Sequence, residues 1–305
     1  MTASELQQVI ALDAQGIIPG RSENIAEFLR RAEALTEYRR QLERTLRHFG
    51  EAEVLPGLTV QATDRIPEEC LAEASELTER LYGFSAHWVP GFFLSHGVGW
   101  LWGGCCMIEP QVPRLVFLLR AAFRRRRTWL CYRRTELAAH EWCHAARYAL
   151  NDSALEEFFA YRTSKSALRR YLGNCFIFPY DAVLFIVPAM MLPAAQLVRM
   201  CWFAALPLWP FYLLAAAYPL FLLFRNWRSR KIVFRAWQVL QQHGIERPLA
   251  VLFRMVPKEM RRLGRVTSRA ELEKLTATWA GENLRWQVIR ARFCPADGTE
   301  KNPRA

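Results

Sequence analysis

The sequence predicts a mostly α-helical protein with a small α+β unit and a transmembrane helical hairpin. Three observations lead there: apolar residues recur at helical spacing over most of the chain, short aromatic or alternating runs interrupt them between positions 83 and 132, and two long uncharged stretches lie between 173 and 224. With 305 residues and 52% hydrophobic content, the chain has enough material for one large core or two modest ones.

Residues 2–13 suit a short helix, ended by Gly16 and the Pro19-Gly20 pair. Ser22 is placed to cap a longer helix that runs to about His48, with Ile25, Phe28, Leu29, Ala32, Leu35 and Leu42 on one face. Its many Glu and Arg residues read as a solvated face. After a break at 50–57, residues 58–62 alternate like a strand, and 67–82 form a helix opened by Pro67, completing an N-terminal helical region over 1–82. A second region, 83–172, begins with Trp88, Phe92, Phe93, Trp100 and Trp102 among glycines, a composition for strands and tight turns. His87 and His96 stand alone, without ligand spacing, and read as structural residues. Residues 115–119 and 128–132 are strand-like, with Arg124 to Arg127 between them as a loop or hairpin end.

Between 171 and 224 the only charged residues are Asp181 and Arg199. Runs at about 173–193 and 203–224 each reach the roughly 20 residues that cross a bilayer, which predicts a multi-pass membrane protein with two crossings. Five prolines, at 188, 193, 207, 210 and 219, leave a hairpin seated in one leaflet as the other arrangement. Basic residues flank both outer ends: Arg162, Lys165, Arg169 and Arg170 before, and Arg225, Arg228, Arg230 and Lys231 after. The positive-inside rule therefore puts both termini in the cytoplasm. Residues 4–13 lack the basic start and apolar core of a signal peptide, so targeting is expected from the hairpin. The formal charge of +12 is concentrated beside the apolar runs and at Arg124 to Arg127, which suits anionic lipid, and no nucleic-acid partner is expected. None of the eight cysteines shows C-x-x-C spacing, and in a cytoplasmic setting they read as free thiols. The C-terminal cytoplasmic region, 225–294, reads as helices at about 225–243, 248–263 and 268–292, the last opened by a Ser268-Glu271 capping box, with a disordered tail from 295 to 305.

The chemistry lies in residues 136–161, where His140, Glu141 and His144 form a His-Glu-x-x-His motif. On a helix, residues four apart share a face, so both imidazoles reach one metal ion and Glu141 sits beside them. Asn151-Asp152-Ser153 is a turn and cap signal ahead of a second helix that begins near Ala154 and is expected to run through Leu172 into the membrane. That helix carries Glu156 and Glu157, either of which a reversal of the chain could bring back to the histidines. This stretch resembles the gluzincin class of zinc metallopeptidases, which carry His-Glu-x-x-His on one helix and a ligating Glu on the next, often followed three residues later by Ala or Ser. Glu157 with Ala160 fits that spacing, whereas Glu156 meets Phe159.

The resemblance implies a zincin-like unit that holds Zn2+ through His140, His144 and Glu157, with Glu141 as general base, hydrolysing peptide bonds. It also implies that an edge strand from the strand-like segments before the motif pairs with substrate backbone. Tyr148, Tyr161 and Arg147 are near enough in sequence to assist at the oxyanion. Arg133, Arg134, Glu136 and Arg147 disfavour embedding this helix in hydrocarbon, so the site is expected close to the cytoplasmic membrane face, acting on a protein or peptide substrate such as a membrane protein. The alternatives are a noncatalytic zinc-binding membrane scaffold and a basic membrane protein that binds lipid or a partner.

Overall fold

The computed structural model describes residues 2–94, 102–109 and 114–294; His96, Trp100 and the expected tail lie outside them. Helix α1 (Ala3–Ala14) and helix α2 (Ile25–Phe49) each begin with a capping box, Thr2 with Glu5 and Asn24 with Glu27. Asn24 rather than Ser22 therefore starts α2, and left-handed Gly50 ends it. The expected break at 50–57 contains a strand, β1 (Glu51–Leu55), which turns through Gly57 into β2 (Leu58–Gln61). Pro67 opens a 3-10 turn before helix α3 (Ala72–Tyr82).

A three-stranded sheet follows, built from β3 (Gly91–Leu94), β4 (Gly104–Glu109) and β5 (Arg114–Arg120). β5 is central, parallel to β3 and antiparallel to β4. Val116 and Leu118 pack with Leu42, Leu46 and Val54 on one face, while Leu115, Phe117 and Leu119 join the main core on the other. Burial on both faces explains the unbroken apolar run. The arginines at 124–127 do not link paired strands: β6 (Thr128–Trp129) and β7 (Tyr132–Arg133) form their own small hairpin, turned at Leu130 with φ 51°.

Helix α4 (Arg134–Arg147) packs across β4 and β5 and is followed by α5 (Ser153–Ala160) and α6 (Ala167–Leu172). The single helix expected from Ala154 to Leu172 is thus broken, and hydroxyl side chains break it. Thr163 Oγ1 donates to the Ala160 and Glu136 carbonyls, Ser164 Oγ donates to Glu136 Oε2, and Ser166 caps α6. A further 3-10 turn separates α6 from α7 (Pro179–Cys201).

One helix among the described residues, α7, is long and apolar enough to cross a membrane, and only 11% of its apolar window is buried in the protein. It pairs antiparallel with α8 (Trp209–Gln242), Gln196 meeting Tyr212 near the tip and Asp181 meeting Tyr218 and Arg225 at the base. The second expected crossing differs from the 203–224 reading. Residues before Trp209 form the turn, and α8 is uncharged only from Trp209 to Phe224, about 24 Å of helix against a hydrocarbon core of about 30 Å. Prolines 188, 193 and 219 are all accommodated inside helices.

α8 continues unbroken beyond Arg225, so the expected helix at 225–243 is its second half. Helices α9 (Pro248–Phe253), α10 (Pro257–Leu263), α11 (Arg269–Glu282) and α12 (Leu284–Phe293) complete the chain. Two expected helices are divided, at Pro257, which forces Val256 into extended backbone, and at Asn283, which caps α12. A main core runs from Val9 and Phe28 through Trp142 and Phe159 to Phe253 and Ile289. Fully buried Asp13 accepts from Arg254 Nε at 2.9 Å and also from Arg292, tying α1 to the last helices.

Candidate metal centre

α4 presents Leu137, Ala138, Trp142 and Ala145 to the core and turns His140 and His144, one helical turn apart, toward α5. The reversal between the two helices is local. After a 3-10 turn, Asn151 takes the left-handed conformation (φ 45°, ψ 54°), one that Asn tolerates better than most residues, and Asp152 accepts from the Ala154 amide to start α5. Arg147 locks this turn: its Nη2 lies 2.6 Å from Asp152 Oδ2 with both side chains buried, and its Nη1 donates to the Phe253 carbonyl. Arg147 is therefore committed to the scaffold and away from an oxyanion role.

The reversal brings the predicted residues together. His140 Nε2 and His144 Nε2 are 3.1 Å apart, and the Glu157 carboxylate places one oxygen 3.7 Å from the first and the other 3.4 Å from the second. One potential ligand atom from each residue lies within 4.8 Å of the others, a group that could hold a metal ion. Glu156 approaches His144 from the far side, with Oε1 2.8 Å from Nδ1, so it contacts the ring without facing the common point. His140 is hydrogen-bonded to the Ala160 backbone, and the Tyr161 ring packs edge-on against it at 4.7 Å between centroids. Tyr148 lies elsewhere, its hydroxyl accepting from Arg31. His87 also lies apart, against Ser75 and Trp142.

Glu141 is buried under the cluster at 4% exposure, and its carboxylate accepts from the backbone amide of Cys106 on β4. Burial pushes its pKa up to about 7, against the opposing influence of His144. For His144 burial acts downward, but the Glu156 hydrogen bond and the Glu157 and Glu141 charges outweigh it and raise the imidazole to about 9. Burial and the charge of His144 hold His140 well below its ordinary value, and burial raises Glu157. With Nε2 facing Nε2 at 3.1 Å, the two imidazoles do not both carry a proton on the facing nitrogens.

Sequence reading missed two neighbours of this cluster, β4 and the groove along α2. Among the described residues β4 is an edge strand of the sheet, and it touches the site through Cys106. An open groove of about 1150 Å³ runs beside Ile108, Glu109 and Glu156, with Glu27, Arg30 and Arg31 of α2 on its other side. α2 was expected only as a solvated face; its polar residues look the same in sequence whether they meet bulk water or a groove. The adjacent acids at 156 and 157 are the one signal in the sequence for two carboxylates on opposite sides of His144. No protein-family model, curated protein or solved structure matches this chain, so the resemblance rests on the site residues alone.

Proposed function

We propose that the protein is a membrane-anchored zinc-dependent metallopeptidase of gluzincin type, with its site near the cytoplasmic membrane face. The cluster of His140, His144 and Glu157 carries the reading: the two imidazole Nε2 atoms are 3.1 Å apart, and separate oxygens of the Glu157 carboxylate lie 3.7 and 3.4 Å from them. Ligand atoms set about 2.0–2.1 Å from a tetrahedral zinc are about 3.3–3.4 Å apart, and the three side chains, whose single ligand atoms lie within 4.8 Å of one another, are near enough to converge on such an ion. When bound, zinc supplies Lewis-acid polarisation of a scissile carbonyl and acidification of water.

The remaining work falls to the chain. Glu156 and the Ala160 backbone fix the two imidazole orientations. Glu141, held by the Cys106 amide, takes a proton from the attacking water and returns it to the leaving amine. β4, an edge strand among the described residues, offers a side for an extended peptide to pair with, and the groove along α2 accommodates its flanking residues. Tyr161, beside His140, is the one sequence candidate left in place to assist at the oxyanion.

The exposed apolar surface of α7 supports insertion in a bilayer together with the first half of α8. Both arms return to the same globular body, where Arg225 donates to the Cys175 carbonyl and Asn226 to that of Tyr171. That arrangement supports a shared side for the basic flanks, for which the positive-inside rule favours the cytoplasm. A substrate cut close to the bilayer, such as a cytoplasmic segment of a membrane protein, suits this placement.

The test uses detergent-purified protein and one cleavable sequence presented free or tethered to liposomes. About one zinc per chain is expected, with hydrolysis favouring the tethered format after correction for local concentration. Glu141→Gln should keep the metal and lose the activity. Absence of stoichiometric metal without chelators present would sink the reading, and zinc retained without hydrolysis in either format would favour the noncatalytic scaffold.

A further inference from the structure

Where α8 leaves its apolar half, it forms one wall of a cavity of about 490 Å³, within the size range of small-molecule sites. Phe158 of α5, Tyr171 of α6 and Trp227 of α8 supply aromatic walls, and Arg162, Arg230 and Lys231 supply three cations. No carboxylate is among the described residues that line it. The cations are held by rings and carbonyls instead. Arg230 lies over Tyr171 at 4.8 Å and Phe158 at 5.5 Å and donates to the Arg170 carbonyl, Lys231 lies over Trp227 at 4.7 Å, and Arg162 lies over Phe158 at 5.3 Å. Arg162 Nε is buried without a hydrogen-bond partner. Burial, and after it the neighbouring charges of Arg162 and Arg170, lower Arg230 below its ordinary value. Beside the cavity, α8 exposes Leu220, Phe221, Leu223 and Phe224 along the arm that leads away from it.

Three uncompensated cations in an aromatic cavity, opening onto an apolar helix surface, call for a ligand that is anionic at one end and apolar at the other. We infer that this cavity binds the phosphate headgroup of an acidic phospholipid, whose acyl chains lie along the exposed face of α8. Diffuse attraction of the basic flanks to a charged membrane needs no cavity and treats every flanking cation alike. A built headgroup site does not. The inference shares only the membrane location with the proposed peptidase, and lipid binding without hydrolysis, or the reverse, separates the two.

The experiment is native mass spectrometry of the full chain released from detergent, with phosphatidylglycerol, phosphatidylcholine or inorganic phosphate added at matched concentrations. One phosphatidylglycerol per chain should be retained in preference to phosphatidylcholine, and inorganic phosphate should not displace it. Lys231→Gln removes a side chain with no hydrogen bond among the described residues and should weaken retention about fivefold, the equivalent of ~1 kcal/mol per basic residue near a membrane surface. Arg162→Gln with Arg230→Gln should weaken it about 25-fold on the same basis. Lys165→Gln, which removes an exposed cation outside the cavity, should leave it unchanged. Equal weakening by Lys165→Gln and Lys231→Gln would reduce the effect to diffuse charge, and unchanged retention by Lys231→Gln would place the lipid elsewhere. Displacement by inorganic phosphate would make this a free-phosphate site; any of the three overturns the inference.

Discussion

Glu156 and Glu157 are neighbours in sequence with different positions around His144, and exchanging each for glutamine separates their roles. Glu157 faces both imidazole Nε2 atoms, at 3.7 and 3.4 Å, whereas Glu156 meets only the opposite nitrogen of His144, at 2.8 Å. Zinc held by four protein ligands is worth about 10–16 kcal/mol, or about 2.5–4 kcal/mol per ligand, so Glu157→Gln is expected to weaken binding by about 60- to 700-fold. Losing a group that only orients a ligating imidazole costs about 10- to 100-fold, which is the expectation for Glu156→Gln. The two effects should be less than additive, because a His144 freed to rotate no longer presents its nitrogen to whatever Glu157 leaves behind. Competition titration against a chromophoric zinc chelator at fixed pH measures both variants without requiring turnover. The reasoning fails if Glu156→Gln loses stoichiometric metal while Glu157→Gln keeps it.

Gly173 lies in the 3-10 turn between α6 and α7, and a Cβ there would collide with the Tyr161 ring. Because Tyr161 packs on His140, Gly173→Ala should lower metal affinity by about 10- to 100-fold with helix content unchanged, which the same titration and circular dichroism would check. Asp13→Ala should destabilise the fold by about 3–5 kcal/mol in denaturant titrations, since it strands the fully buried Arg254; a loss below about 1 kcal/mol would mean that the arginine reaches water or another partner.

The centre was legible because its geometry is local. A four-residue spacing sets the histidines on one face, and Asn151 with Asp152 turns the chain within a few residues, so the whole cluster fits inside 136–161. What surrounds it is not local. Arg31 reaches Tyr148 across 117 residues, and β4 meets Glu141 only after the sheet has formed. Helix ends were misread where polarity was mistaken for continuity or its loss. Thr163, Ser164 and Ser166 interrupt a stretch that reads as helical, because their hydroxyls bond Glu136 and cap α6. In the opposite sense, the change from apolar to basic at Arg225 leaves α8 intact, because helix propagation depends on backbone bonds and both halves have good helix formers. Asp13 and Arg254 look like ordinary surface charges in sequence, and only the packed structure reveals them as a buried pair.

Asp181 shows how the site is held relative to the hairpin. An acid within an apolar run invites a functional reading, yet every partner it has here is structural. Its Oδ2 accepts from the amides of Ile177 and Phe178 and from Arg225, and its Oδ1 accepts from Tyr218, so the two amides that lead into α7 have a partner and the start of α7 is clamped to α8. The same α8 segment holds the linker: Arg225 donates to Cys175, Asn226 to Tyr171 and Arg230 to Arg170. Arg170 in turn donates to the Ser164 carbonyl, and Ser164 donates to Glu136 at the start of the helix that carries both histidines. A straight helix from Glu157 into the apolar run would have set the spacing by length alone. The broken linker sets it by bracing each break against α8 or α4, so the height of the centre above the hairpin depends on these hydrogen bonds rather than on the number of intervening residues.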